Sequence, residues 1–137
     1  MDEQLRRILL DKAGEAMKNA YAPYSGFKVG AAVITAEGRI FTGCNVENAS
    51  YGATNCAERT AMFKAVSEGV CSFTGIAVVC SSGRFAYPCG ICRQVMTEFM
   101  KEDACIILED CRKGILEMSL ADILPGAFTG KDLEDGK

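Results

Sequence analysis

Histidine is absent from all 137 residues. That absence removes Ser-His-Asp and Cys-His catalysis and every His-ligated metal centre. A metal must sit on Cys, Asp or Glu, and a general base must be a carboxylate, Lys, Cys or Tyr. No apolar run approaches the ~18 residues of a membrane span. Residues 1–20 are charged throughout and lack the apolar stretch of a secretory signal. Basic character is lacking as well. Lys and Arg number 15 against 18 Asp and Glu, giving a formal net charge of −3 and a sequence pI near 5.0. Binding to nucleic acid by phosphate neutralisation needs clustered Lys and Arg. Neither a nucleic-acid nor a membrane partner is expected, and the expected location is the cytoplasm.

What is present fits one folded unit over 1–137, with 49% hydrophobic and 24% charged residues. The chain carries 8 cysteines, at positions 44, 56, 71, 80, 89, 92, 105 and 111. In a reducing compartment cysteine pairs read as metal-binding or catalytic rather than as disulfides.

Leu5, Ile8, Leu9, Ala13, Ala16, Met17 and Ala20 recur at helical spacing and predict a helix over 3–20. Residues 27–35 are apolar on both alternating sets, which suits a strand covered on both faces. Glu37-Gly38 turns the chain into a second strand, 39–43. Residues 44–54 read as a loop. Asn55, three residues before Glu58, reads as the N-cap of a helix over 56–68 that stops at Gly69. A strand at 74–81 leads through a loop to a helix over 89–100. Strands at 104–109 and 115–118 and a short helix at 119–124 follow, and the tail beyond about 128 reads as loose. The order αββαβαββα contains two β-α-β units. It predicts a three-layer α/β/α sandwich around a five-stranded mixed sheet, with the first hairpin adding an antiparallel edge.

Three segments carry chemistry: Cys56-Ala57-Glu58, Pro88-Cys89-Gly90-Ile91-Cys92 and Asn45-Val46-Glu47-Asn48. Helices that follow parallel strands start at the same sheet edge. Cys56 and the Cys89/Cys92 pair can therefore converge on one tetrahedral zinc, leaving a fourth position open. Zinc with three thiolates carries a net charge of −1, so charge must be drawn off the sulfurs. Helix N-termini do this, and Arg59 is placed to hydrogen-bond the sulfurs as a counter-charge. Glu58, two residues beyond Cys56, is the candidate acid and base.

The pattern C-x-E…P-C-x-x-C is a zinc-deaminase signature with Cys in place of His. With Ala22-Pro23-Tyr24-Ser25, Asn45-Val46-Glu47-Asn48, Cys56-Ala57-Glu58-Arg59-Thr60-Ala61, Pro88-Cys89-Gly90-Ile91-Cys92-Arg93-Gln94 and Leu124-Pro125-Gly126-Ala127-Phe128, the chain closely resembles the small cytidine deaminases of pyrimidine salvage. The resemblance covers residues from about 21 to 128. It implies hydrolysis of free cytidine and 2'-deoxycytidine, one zinc per chain and a homotetramer with shared active sites. It implies that Phe27 packs on the pyrimidine, that Asn45 and Glu47 hold the ribose hydroxyls, and that the Ala57 backbone meets the base. Tyr51 and Phe128 are expected to reach a neighbouring subunit's site. Tyr87 departs from the usual Ser or Thr before Pro-Cys.

Other readings compete. Cys89/Cys92 alone suits a redox pair. A structural zinc would need a fourth ligand, which Cys44, Cys80 or Cys105 could supply. Glu58 could be the reciprocal half of a capping box with Asn55. A related deaminase acting on blasticidin-type antibiotics is disfavoured by Glu47, which suits a ribose. The five remaining cysteines read as small buried hydrophobes.

Overall fold

Alternation along three central strands sorts the apolar side chains onto two faces, and a helix layer covers each. The computed structural model describes residues 1–135. Its elements are α1 (Glu3–Met17), β1 (Val29–Ile34), β2 (Ile40–Cys44), α2 (Ala57–Ser67), β3 (Phe73–Cys80), α3 (Gly90–Phe99), β4 (Met100–Asp110), β5 (Gly114–Ser119), α4 (Leu120–Ile123) and α5 (Gly130–Asp135). The strand order is β2-β1-β3-β4-β5. β1 is antiparallel to both β2 and β3, β3 is parallel to β4, and β5 is antiparallel to β4. β2, β3 and β4 thus run the same way, and the expected three-layer mixed sheet is what forms. The first hairpin forms the antiparallel edge as expected, with β2 outermost and β1 between β2 and β3.

On one face Ala32, Ile34, Ala77 and Ile107 meet Leu9, Leu10 and Ala13 of α1. On the other, Ala31, Val33, Ile76, Val78, Ile106 and Leu108 meet Ala61, Met62 and Ala65 of α2 and Cys92 and Met96 of α3. The i, i+2 period of the strands produces this division. Two glycines let the layers close. A Cβ on Gly30 would strike the Ala13 carbonyl and stand 2.7 Å from the Met17 nitrogen of α1. One on Gly43 would stand 2.8 Å from the Ala57 oxygen of α2.

Several element ends differ from the sequence reading, each for a local reason. α1 is capped by Asp2, which accepts from the Leu5 N–H at 2.8 Å, and ends at Met17 rather than at 20. The strand expected over 27–35 shortens to Val29–Ile34, leaving Phe27 44% exposed. Within 44–54 a single 3-10 turn forms at Tyr51–Ala53, and Val46 bridges to Tyr21 and Asn55. Cys56, not Asn55, occupies the N-cap position of α2; the Asn55 backbone is bridged to Val46 and its Nδ2 donates to Thr60 Oγ1 at 2.9 Å. β4 starts at Met100, directly from α3. The tail expected to be loose forms α5, with the Thr129 N–H donating to Asp132 and Gln94 Nε2 donating to the Phe128 carbonyl at 2.8 Å; residues 136–137 of that tail lie outside the described residues. Of the cysteines read as buried, Cys71 and Cys111 are exposed, Cys44 and Cys105 are half-buried, and only Cys80 is buried.

Main-chain contact at Gly30 leaves no side chain to yield. Gly30→Ala is expected to lower unfolding free energy by about 3 kcal/mol or more, whereas Gly14→Ala, on α1 with open space around it, is expected to raise it by about 0.5–1 kcal/mol. Urea denaturation of the two variants beside the parent checks both signs.

Candidate active site and metal centre

Because β2 and β3 run parallel, their ends at Cys44 and Cys80 lie at one edge of the sheet. The following segments deliver the first turns of α2 and α3 to that edge. Cys56 and Cys89 occupy the two N-cap positions in extended backbone, and neither spends its side chain on a cap hydrogen bond. Their sulfurs face each other at 3.8 Å. Cys92, one turn into α3, is fully buried, and the three sulfurs lie within 4.8 Å of one another.

Zinc–sulfur bonds of about 2.3 Å in a tetrahedron place sulfurs roughly 3.8 Å apart, so the Cys56–Cys89 spacing already fits that ion. Among the described residues no other Cys, Asp or Glu joins this group. Cys44, Cys80 and Cys105 therefore supply no fourth ligand, and the fourth direction is left for water or substrate. Three soft thiolates favour zinc over magnesium or calcium.

Charge around the sulfurs is balanced locally. A hydrogen bond from Cys92 and the adjacent Arg59 guanidinium hold the Cys56 thiol at about 5, well below the ordinary thiol range. The same hydrogen bond and burial push Cys92 up. Arg59 donates to Cys56 Sγ at 3.3 Å and to the Thr54 carbonyl at 3.4 Å. Burial opposes its charge, but hydrogen bonds to Cys56 and Cys92 more than offset this and raise its pKa. Arg93 takes a different role: Nε donates to the Pro88 carbonyl at 2.7 Å and a terminal nitrogen to the Ile123 carbonyl at 2.8 Å. It ties the segment entering Cys89 to the end of α4.

Glu58 is 4% exposed. Burial pushes its carboxyl up to about 7, and the negative charge at Cys56 adds to the rise. With Cys56 rather than Asn55 at the N-cap position, the Asn55–Glu58 capping box does not form. Glu58 lines a cleft of about 470 Å³ together with Cys56, Cys89, Ala57, Phe27 and Asn45. A carboxyl held near neutrality beside an open metal position can both accept and return a proton.

The remaining residues divide. Asn45 is buried and clamps the start of β1, accepting from the Val29 N–H at 2.9 Å and donating to the Phe27 carbonyl at 2.8 Å. Each amide atom keeps one hydrogen-bonding position free. Glu47 and Tyr51 line a neighbouring cleft of about 410 Å³ that shares Thr54 with the first. There the Glu47 carboxylate accepts from the Ser25 hydroxyl and from the N–H groups of Tyr24 and Ser25, at 3.0 and 3.1 Å. These bonds, the Ser25 hydroxyl first, hold its pKa below the usual carboxylate value. Tyr51 is 76% exposed and Phe128 58% exposed, and Phe128 stands outside both clefts. The sequence reading missed Val78, Phe85 and Ala86 as cleft walls. It also gave no role to Tyr24 and Ser25, although the Ala22–Ser25 segment had marked the place.

Fold, donor set and buried carboxyl together define the class of zinc-dependent deaminases. The family model for the cytidine and deoxycytidylate deaminase zinc-binding region matches residues 3–109, and the chain belongs to that family. It is 48% identical over 130 residues to a cytidine deaminase of Halalkalibacterium halodurans, covering 95% of this chain and 98% of that one. It is 48% identical over 125 residues to a cytidine deaminase of Sporosarcina psychrophila, covering 91% and 92%. The crystal structure of a cytidine deaminase from Burkholderia pseudomallei superposes with a TM-score of 0.85 at 47% identity, covering 93% of this chain and all of that one.

Cys89 is exposed, so its loss leaves the core intact. Cys89→Ala is expected to reduce zinc from one per chain to below about a tenth, read by elemental analysis of the dialysed protein; full retention would remove Cys89 from the ligand set.

Proposed function

We propose that the chain hydrolyses cytidine and 2'-deoxycytidine to uridine and 2'-deoxyuridine with release of ammonia, as a step of pyrimidine salvage in the cytoplasm. The observation that carries this reading is the buried Glu58 carboxyl in one cleft with Cys56 and Cys89, whose sulfurs cluster with that of the buried Cys92. We assign the ligand set to Cys56, Cys89 and Cys92 and place one catalytic domain over 1–137. When bound there, zinc supplies the Lewis acidity that lowers the pKa of water.

The protein's own groups do the rest. Glu58 accepts a proton from the attacking water and delivers it to N3 of the base as the oxygen bonds to C4. Glu58 then moves the remaining hydroxyl proton to the amino group, the C4–N4 bond breaks, and ammonia leaves. The steps are sequential, so one carboxyl serves all of them. Arg59 keeps negative charge on the sulfurs in check and thereby preserves acidity at the centre. Phe27 offers an exposed ring to the pyrimidine plane, and the Ala57 backbone closes the floor.

Asn45 and Glu47 are assigned to the ribose hydroxyls. Tyr24 and Ser25 fix the Glu47 carboxylate before substrate arrives, which favours a sugar hydroxyl over a mobile contact. A free base would leave these polar groups unpaired, and such sites discriminate strongly. The exposed Tyr51 and Phe128 rings support a homotetramer in which each completes a neighbouring subunit's site.

Glu58→Ala is expected to keep its zinc and lose turnover by about 10²–10⁴-fold; ammonia release from cytidine by the metal-analysed variant measures this, and retained activity would overturn the mechanism. Turnover compared among cytidine, cytosine and CMP is expected to favour the nucleoside, and CMP as the best substrate would refute the sugar assignment.

A further inference from the structure

Away from the sulfurs, two loops at the same end of the sheet enclose a second polar cleft. The Ser82–Arg84 loop follows β3, and the Asp110–Lys113 turn follows β4. Cys111 N–H donates to the Gly83 carbonyl at 2.7 Å and ties the two loops together. Between them lies a space of about 430 Å³ lined by Ser82, Arg84, Asp110, Cys111, Arg112 and Lys113. Arg84 comes from one loop and the adjacent pair Arg112-Lys113 from the other, so the fold adds the third cation to the pair.

Among the described residues those cations form no ion pair within 4.0 Å, although the charges of Lys113 and Arg84 reach Asp110. Among the described residues the ion pairs are Met1–Glu117, Arg7–Asp11 and Arg7–Glu109. None involves Arg84, Arg112 or Lys113. The one acid in the cleft, Asp110, is buried, and its Oδ1 already accepts the Arg112 and Lys113 N–H groups at 2.8 and 3.0 Å. Three cations against this single carboxylate leave two uncompensated positive charges on a molecule whose formal net charge is −3. Like charges brought together at a fixed place repel unless an anion lies among them.

We propose that this cleft binds a polyphosphate anion: pyrophosphate, or the phosphate chain of a nucleotide. The ligand's chemistry follows from the site. Guanidinium groups pair phosphate oxygens through two N–H donors each, and a lysine adds a point charge. The space exceeds a single phosphate group, and the charge excess matches a multiply charged anion. The cleft is separate from the cytidine site and shares no lining residue with it. The loop that contributes Ser82 and Arg84 continues into Phe85, Ala86 and Tyr87, which wall the catalytic cleft. The proposal does not depend on the deaminase reading, because it is tested by binding.

Calorimetric titration of the zinc-loaded full chain with pyrophosphate at about 50 mM salt tests it. One site per chain is expected, weakening several-fold at about 200 mM salt as screening grows. The variant Arg112→Glu with Lys113→Glu, both on the exposed turn, is expected to bind at least about tenfold more weakly. Its thermal melting and cytidine turnover are expected to match the parent. Zinc measured after the titration separates binding from metal extraction. Parallel titrations with a nucleoside triphosphate and with orthophosphate identify the source. A triphosphate binding more than about tenfold tighter than pyrophosphate means that base or sugar also makes contact, and equal affinity means that the phosphate chain is the ligand. Undetectable binding, equal binding by the double variant, displacement by saturating cytidine, or orthophosphate binding as well as pyrophosphate would overturn the proposal.

Discussion

Everything at the functional edge depends on two helices starting at the same end of the sheet. β1 folds back between β2 and β3, and this leaves its two neighbours parallel. Their following helices must then begin side by side. Two N-cap cysteines meet at 3.8 Å, and a third comes from the next turn of α3. Such a cluster of sulfurs is costly by itself, because it concentrates negative charge in a partly dry place. It is tolerable because both helix termini present N–H groups toward it and because Arg59 leans in. The same burial that makes the sulfurs expensive raises the Glu58 carboxyl to about 7, so the electrostatic strain of the metal centre and the readiness of the carboxyl share one origin.

The arginines divide the remaining labour in ways a lysine would not reproduce. Arg7 reaches from α1 to Glu109 of β4 with two parallel hydrogen bonds of 2.6 and 2.9 Å, strapping one helix layer to the sheet. Arg93 fastens the approach to Cys89 through two carbonyls. Arg59 works on sulfur. Each uses the planar fork to touch two acceptors in fixed directions, so the positions of three separate elements are held by geometry as well as by charge.

Much of this was legible in the sequence. Short apolar runs between turn residues placed the strands, and the C-x-E and C-x-x-C spacings singled out the three cysteines, Glu58 and Arg59. What escaped was decided by tertiary competition. Asn55 has the right identity for a cap, but Thr60 offers its amide a partner and Cys56 takes the terminal position. Phe27 looks like a strand residue until the ladder stops at Val29. Glu47 gave no hint that Tyr24 and Ser25 would restrain it, because that contact spans two loops joined through the Tyr21–Val46 bridge. The tail helix starts on the Thr129–Asp132 hydrogen bond, and Gln94 of α3 holds the preceding Phe128 carbonyl. Hydrophobic period and residue identity alone carry none of these choices, since each turns on a specific hydrogen-bond partner or on where a ladder ends.

The absent side chain at Gly43 has a consequence for the metal site. α2 rests on β2 main chain to main chain at Ala57, Thr60 and Ala61, and this is the turn that follows Cys56 and contains Glu58. Side chains can change rotamer and act as springs, whereas two backbones in contact act as a hard stop. The height of Cys56 and Glu58 above the sheet is therefore set by the sheet and not by the ion. A side chain at 43 would lift this turn from the sheet and carry Cys56 and Glu58 away from the two sulfurs that α3 holds.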